Sequence, residues 1–300
     1  RSGLVKITLE RNLLREALQI AAAGIPTNTV LPALNNIFFK ATGSEIRLIT
    51  TNLEVAVLSK IDFDTAEGIE VLLPPKFAPI VDSLSGDEVA LDINLNGERG
   101  KVSITGGASK FDLAVQDTAN YPEVKEHEAA GEVVTFTQRE LKALLKQVIF
   151  CVSTDGSRPA FQGVLFKFNQ DGLIVCSSDA FRLAYKKLEI GKGPEKSLLV
   201  PGKSLKELIR LLSDEDENVS VFSAESQVVF KTDKFTFAAR VLNEKYPDIS
   251  GVIPSSSKTT VVIPTKSLEE VVVRAALLAE GANHSIQLTL DDSEIEVSSS

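Results

Sequence analysis

Arg139, Lys142 and Lys146 carry positive charge at spacings of three and four, and Lys203, Lys206 and Arg210 repeat the pattern sixty-four positions later. Cations so arranged suit one kind of chemistry: holding a row of phosphates by charge and hydrogen bonds, with no bond broken. Between them lie Leu141, Leu144, Leu145 and Val148 in the first stretch, and Leu205, Leu208, Ile209 and Leu212 in the second. At about 100° per residue the three cations fall within an arc of about 60°, with the apolar residues on the far side. Each stretch is therefore expected to be a helix with one face in a core and a positive stripe outside. A single helix of this kind reads equally well as a solvated back. The recurrence in register favours a phosphate-touching surface.

Bond-breaking chemistry has weaker candidates. Asp62 and Asp64 alternate at strand spacing, and Asp214-Glu215-Asp216-Glu217 is a dense acidic run; either could be imagined as a metal site or a carboxylate pair. The run follows the helix ending near Leu212 and reads more simply as a solvated connector. No P-loop, dinucleotide fingerprint or Gly-x-Ser-x-Gly elbow occurs. His127 in a connector and His284 in a Gly-Ala-Asn-His stretch give a Ser-His-Asp triad no convincing base. Cys151 and Cys176 lie among apolar neighbours and read as small core residues. With two cysteines and two histidines, a Cys-rich zinc site is excluded. We expect no catalytic residue, no metal and no cofactor.

The bulk composition agrees with a binding role. The 300 residues are 43% hydrophobic and 24% charged with a net charge of −9, which fits a soluble globular chain of about two domains by length. No apolar run approaches the ~20 residues that span a bilayer, so a cytoplasmic protein with no membrane contact is expected. An acidic molecule attracts DNA poorly at long range, and six stripe cations would give only non-specific, salt-sensitive holding. With no interleaved stacking aromatics, base edges would go unread.

The elements that must position these residues are repeated. Thr8-Leu9-Glu10-Arg11-Asn12-Leu13, Phe136-Thr137-Gln138-Arg139-Glu140-Leu141 and Pro264-Thr265-Lys266-Ser267-Leu268 begin three long repeats at nearly even intervals. Tyr121-Pro122-Glu123-Val124 and Tyr246-Pro247-Asp248-Ile249 close the first two. Phe77, Ile80, Val81 and Leu84 match Leu205, Leu208, Ile209 and Leu212, with the first repeat one residue shorter between Pro74 and Phe77. Domains are expected at 1–126, 133–254 and 258–300, the last holding one half-unit. Each half-repeat reads as β-α-β-β-β, with turns at Asn96-Gly97, Gly106-Gly107 and Asp171-Gly172. The fold class is α+β, with helices on one side of antiparallel sheets. Such domains, curved into a closed ring, would retain a duplex by topology and let it slide.

Further motifs sharpen this reading. Leu31-Pro32-Ala33-Leu34-Asn35-Asn36-Ile37, Thr51-Asn52-Leu53-Glu54 and Arg158-Pro159-Ala160-Phe161-Gln162-Gly163-Val164-Leu165 occur in order. Ser178-Asp179-Ala180-Phe181-Arg182-Leu183-Ala184 and Tyr246-Pro247-Asp248-Ile249-Ser250-Gly251-Val252-Ile253-Pro254 follow. Together they resemble the bacterial sliding-clamp family, the beta subunits of DNA polymerase III, over the whole chain. The resemblance implies the DNA-clamp fold, a head-to-tail homodimer ring with helices lining the inside and sheets outside, and no catalytic activity. It implies partners: double-stranded DNA, the replicative polymerase catalytic subunit, the clamp loader and other clamp-motif proteins. By position, Arg11, Arg15, Lys76, Arg139, Lys142, Lys146, Lys203, Lys206, Arg210 and Lys266 would face DNA, with Lys203 and Arg210 the firmest. Phe161, Ser178, Phe181, Arg182, Leu183, Pro247 and Val252 would form an apolar groove for short glutamine-leucine-phenylalanine motifs. From residues alone, Phe161, Leu183, Pro247 and Val252 read as plain core before they read as a groove, and the resemblance is what favours the groove. Ala180 stands where the family usually has Gly, Ile249 where Tyr is common, Gly251 where a basic residue often occurs, and Asn28 where Arg is frequent. The alternative is a repeat-built protein-interaction scaffold that never touches nucleic acid; a metal-dependent hydrolase using Asp62 and Asp64 is a third reading.

Overall fold

The computed structural model describes residues 3–65, 68–124, 131–190, 195–224, 226–279, 285–291 and 294–299. It divides into two compact units, Arg1–Pro247 and Asp248–Ser300.

Four half-units with the expected β-α-β-β-β order make up the first unit. The first holds β1 (Gly3–Glu10), α1 (Arg11–Ala22), β2 (Ile37–Thr42), β3 (Glu45–Thr51) and β4 (Val55–Asp62). The second holds β5 (Ile69–Leu73), α2 (Phe77–Ser83), β6 (Glu88–Asn96), β7 (Arg99–Gly106) and β8 (Ser109–Gln116). The third holds β9 (Gly131–Thr137), α3 (Gln138–Val148), β10 (Gly163–Asn169), β11 (Gly172–Ser178) and β12 (Leu183–Leu188). The fourth holds β13 (Lys196–Pro201), α4 (Gly202–Leu211), β14 (Asn218–Ser223), β15 (Gln227–Lys231) and β16 (Phe235–Arg240). Hairpin turns fall where Gly allows a left-handed backbone, with φ of 66° at Gly97 and 57° at Gly107.

All ladders within the unit are antiparallel. One twelve-stranded sheet runs β1-β6-β7-β8-β5-β2-β3-β4-β16-β15-β14-β9, and a four-stranded sheet runs β12-β11-β10-β13. The repeats join where β4 meets β16, with Val57 opposite Phe237 and Ser59 opposite Phe235. Alternation along β4 explains the joint: Val55, Val57, Ser59 and Ile61 are buried while Lys60 and Asp62 are exposed. Val55 and Val57 belong to the second repeat's core, among Leu141, Leu145, Leu205, Leu208 and Phe237. The first repeat's own core packs Leu14 and Leu18 of α1 and Phe77 and Val81 of α2 against Phe39, Val71 and Leu91. Because the second core borrows residues across the repeat boundary, the first two repeats form one compact body.

In the second unit, α5 (Thr265–Ala276) precedes a hairpin of β17 (Ile286–Leu290) and β18 (Ile295–Ser299). The half-unit pattern expected here lacks its leading strand, since residues 259–264 are irregular and mostly exposed. The reason is pairing: β1 lies on β6 and β9 on β14, both strands of a following half-unit. Among the described residues the third repeat offers no such strand, and an unpaired extended segment has no ladder to hold it.

Phe237 is fully buried at the joint. Phe237→Ala is expected to lower unfolding stability by about 3–5 kcal/mol, read from the denaturant midpoint at constant slope. A loss below about 1 kcal/mol would contradict its place in the shared core.

Candidate functional site

The four helices of the first unit share one layer over the sheets' buried faces. α1 and α2 are linked by Arg15, whose Nε lies 2.8 Å from Asp82 Oδ1. α1 and α4 flank a cleft of about 610 Å³ bordered by Glu16, Gln19, Glu207 and Arg210. Lys234, ahead of β16, closes on Glu16 of α1 at 2.8 Å. α3 lies beside α4, with Leu141, Leu144, Leu145, Leu205 and Leu208 buried between the helices and the sheets. Amphipathicity thus turns every apolar face inward and leaves the cations on the layer's other side.

The cations differ in how free they are. Lys146, Lys203, Lys206 and Lys76 are exposed, and no ion pair among the described residues engages them. Lys266 of α5, in the second unit, is exposed as well. Arg11 is partly buried and donates from Nη1 to Leu84 O at the end of α2. Arg210 grips Glu207, one turn back, with Nη1 at 2.9 and 3.0 Å from its two carboxylate oxygens. On α3, Arg139 Nε donates to Asp214 O at 2.8 Å and lies 3.4 Å from Asp216 Oδ1. Lys142 Nζ is 3.0 Å from Asp214 Oδ1, its side chain only 17% exposed. Lys142 beside it holds the Asp214 carboxyl below the usual carboxylate range, first by hydrogen bond and then by charge.

The acidic run is therefore more than a solvated connector. Gln138 N donates to Glu217 O at 2.8 Å and Arg139 N to Glu215 O at 3.1 Å, satisfying donors that the start of a helix leaves open. Buried Gln138 adds Nε2 to Glu217 Oε2 at 3.0 Å and accepts from Ser213 N at 3.0 Å. A capping box completes this end: Glu140 N donates to Thr137 Oγ1 at 3.2 Å, and Thr137 N to Glu140 Oε2 at 2.9 Å. Carboxylates near the positive end of a helix dipole are favourable in themselves. The sequence showed the charges on both sides but not that they meet.

The other candidate cluster is built around the β11–β12 turn. Ser178 pairs with Leu183, leaving four residues to reverse the chain. Asp179 organises them: Oδ1 accepts from the backbone N of Phe181 at 3.0 Å and of Arg182 at 2.8 Å. Oδ2 accepts from Arg182 Nε at 3.0 Å and Nη2 at 2.8 Å. Ala180 takes φ of 76°, a left-handed conformation in which Gly would be unstrained. The result holds Phe181 out at 94% exposure, beside exposed Phe150, whose carbonyl accepts from Arg182 Nη2 at 3.4 Å. Phe161 stacks edge-to-face on Tyr246, with centroids 5.9 Å apart. Phe161 and Leu183 are half-buried and Ser178 is buried, while Pro247 is exposed. Val252, in the second unit, is 66% exposed, its N donating to Ile249 O at 3.0 Å. Sequence reasoning named Asp179 only as part of its segment and gave it no role of its own, although Asp in a short chain reversal commonly forms an Asx turn.

The remaining chemical candidates are dispersed. Asp62 is exposed and lies 3.0 Å from Lys60; among the described residues no three His, Cys, Asp or Glu side chains are grouped to hold a metal. His127 and His284 lie outside the described residues. Cys151 and Cys176 are both buried, and burial pushes the Cys176 thiol up to about 11. Among the described residues no helix is long and apolar enough to cross a membrane.

The Asp179 carboxyl is pulled down to about 2, chiefly by the Arg182 backbone N–H, then its guanidinium, then the Phe181 N–H. A depressed carboxylate pKa stabilises the turn fully above the unfolded value of about 3.9 and loses that contribution as pH falls towards about 2. Carbon-13 NMR of the Asp179 carboxyl should give a midpoint near 2 that rises in Arg182→Ala. A midpoint near about 3.9 in the unaltered chain would contradict the turn geometry.

Comparison with known proteins follows the same lines. Residues 5–125 match the family model described as DNA polymerase III beta subunit, N-terminal domain, and residues 135–248 match the central domain of the same subunit. The chain is 31% identical to a beta sliding clamp of Staphylococcus epidermidis, over 99% of this chain and 80% of that one. It is 30% identical to the beta sliding clamp of Bacillus subtilis, over 98% and 80%. The crystal structure of the DNA polymerase sliding clamp from Bacillus subtilis superposes with a TM-score of 0.90 at 29% identity, covering 98% of this chain and 80% of that one. A Pseudomonas aeruginosa sliding clamp bound to griselimycin gives 0.89 at 26%, covering 99% and 81%. Matched in its first two repeats by family models and over nearly its whole length by relatives and solved structures, the chain belongs to the bacterial DNA polymerase III beta subunits, the sliding clamps.

Proposed function

We propose that this sliding clamp encircles double-stranded DNA as a head-to-tail homodimer ring, placed there by the clamp loader, and tethers the replicative polymerase for processive synthesis in the cytoplasm. It acts as a processivity factor without a catalytic residue or cofactor. Its repeats serve as domains 1–126, 133–254 and 258–300, with helices towards the DNA and sheets away from it. The observation that carries this reading is the order of helices α2-α1-α4-α3, with the cleft between α1 and α4 and with Lys76, Lys146, Lys203 and Lys206 exposed. Four ammonium groups that no ion pair among the described residues engages hold phosphates weakly in an acidic molecule and without regard to sequence, so retention has to come from topology.

Arg11, Arg15, Arg139, Lys142 and Arg210 support the same contact less directly. Each already has an oxygen partner within the chain, which a phosphate would have to replace. Lys266 adds a further exposed charge from α5. Phe161, Ser178, Phe181, Arg182, Leu183 and Pro247 of the first unit receive clamp motifs from the polymerase, the loader and other partners, and Val252 of the second unit is assigned to the same task. Exposed Phe181, held out by the Asp179 turn, supports that reading. The internal neutralisation of α3 favours the alternative, a scaffold for proteins that never contacts nucleic acid.

Two measurements separate these readings. After loading on nicked circular DNA the protein should stay bound and be released when the circle is linearised; equal retention on the linear form would rule topology out. Lys146, Lys203 and Lys206 all changed to Glu should abolish retention, whereas the scaffold reading expects no change. Asp214→Asn with Asp216→Asn removes the carboxylates that pair with Lys142 and Arg139 and leaves the Arg139 bond to the Asp214 carbonyl in place; duplex binding at low salt should tighten about two- to fivefold, the worth of an exposed ion pair.

A further inference from the structure

The first repeat carries a loop built like the Asp179 turn. Thr50 Oγ1 donates to Ala21 O at the end of α1, as Ser177 Oγ donates to Val148 O at the end of α3. Asn52 Oδ1 accepts from the backbone N of Glu54 at 3.0 Å and of Val55 at 2.7 Å, the role that Asp179 plays in the second repeat. Leu53 has φ of 74°, beside 76° for Ala180. Behind each loop stands an edge-to-face aromatic pair, Phe38 with Tyr121 and Phe161 with Tyr246.

The surroundings differ. The first loop faces the β15–β16 hairpin of the second repeat, with Arg240 N donating to Glu54 O at 2.9 Å. Between them lies a cleft of about 260 Å³ whose lining includes Leu53, Glu54, Pro122, Glu123, Val124 and Gln227. That is below the ~300–1,000 Å³ of small-molecule pockets and suits a side chain with its neighbours. Leu53 is 49% exposed despite its left-handed backbone. Among the described residues the lining holds two exposed carboxylates, Glu54 and Glu123, and no cation; Arg240, opposite Gln227 in the ladder, is not among the lining residues. Gln227 Oε1 is buried with no hydrogen-bond partner among the described residues, an acceptor left open for a donor from outside.

We propose that this cleft is a second docking site, for a peptide segment in which an aliphatic side chain is flanked by Lys or Arg. The aliphatic group packs on Leu53, Pro122 and Val124, the cations meet Glu54 and Glu123, and a peptide N–H or ammonium supplies the donor that Gln227 lacks. The site would therefore select the opposite charge from the Arg182 turn. The likeness of the two loops rests on reading the second as a peptide groove, but the cleft, its charge and its open acceptor do not.

The test uses the full chain and two labelled peptides followed by fluorescence anisotropy, acetyl-Ala-Lys-Leu-Lys-Ala-amide and acetyl-Gln-Leu-Phe-amide. Binding of the lysine peptide should weaken at least about tenfold in Glu54→Lys with Glu123→Lys, both surface changes. It should be unchanged in Phe181→Ala, while the glutamine peptide shows the reverse pattern. Loss of the lysine peptide in the double variant, with the glutamine peptide indifferent to Phe181→Ala, would uphold the cleft and sink the groove. No binding of the lysine peptide, or binding that falls with Phe181→Ala and survives the double variant, would overturn the inference.

Discussion

Two strand edges that would otherwise stand open close on each other in this chain, and most of the first unit's organisation follows from that contact. β4 and β16 pair from Val55 opposite Ala239 to Ser59 opposite Phe235, and the flanking bonds Lys60 N to Lys234 O and Arg240 N to Glu54 O extend the joint. An exposed edge presents a row of unpaired donors and acceptors. Pairing removes two of them and carries Val55 and Val57 into the second repeat's core. Since each helix packs on the buried face of its own half-unit, joining the sheets also brings α1 beside α4. The helical layer and the cleft beside Leu53 are both consequences of that one ladder.

Electrostatics then works against the net charge. A chain at −9 holds Arg139 and Lys142 of α3 against Asp216 and Asp214, Arg15 against Asp82 and Arg210 against Glu207. Exposed pairs of this kind contribute little to stability, about 0–1 kcal/mol each. Their effect is on availability: they divide the cationic face into lysines that no ion pair among the described residues engages and side chains that already hold a carboxylate or carbonyl. That division is consistent with a surface a duplex can slide along, because no strong fixed contact has to break at each step.

Much of this was legible in the sequence because it is local. The 3.6-residue spacing of Leu141, Leu144, Leu145 and Val148 gave the helix and its buried face, and Asn96-Gly97 and Gly106-Gly107 gave the hairpins. The β-α-β-β-β order followed from alternation between such marks. What stayed hidden depends on distant partners. Nothing in Phe235–Arg240 says that it lies on Val55–Asp62, since every half-buried strand alternates alike. Arg139 and Asp214 are 75 positions apart, so the pairing of stripe and acidic run could not be read from either alone. Leu53 and Ala180 gave no sign of a left-handed backbone, which is usually signalled by Gly. The leading strand expected before α5 failed for the converse reason: residues 259–264 have strand-like composition but, among the described residues, no neighbour to pair with.

In the proposed ring the lysines of the helical layer, and not those of the sheet face, meet DNA. Lysine-reactive footprinting read by mass spectrometry, on protein loaded on circular duplex and on free protein, tests it most directly. Lys146, Lys203 and Lys206 should lose reactivity on loading, while Lys60, Lys101 and Lys167, exposed on β4, β7 and β10, should keep theirs. Protection of the sheet-face lysines, with the helical ones unchanged, would contradict the account.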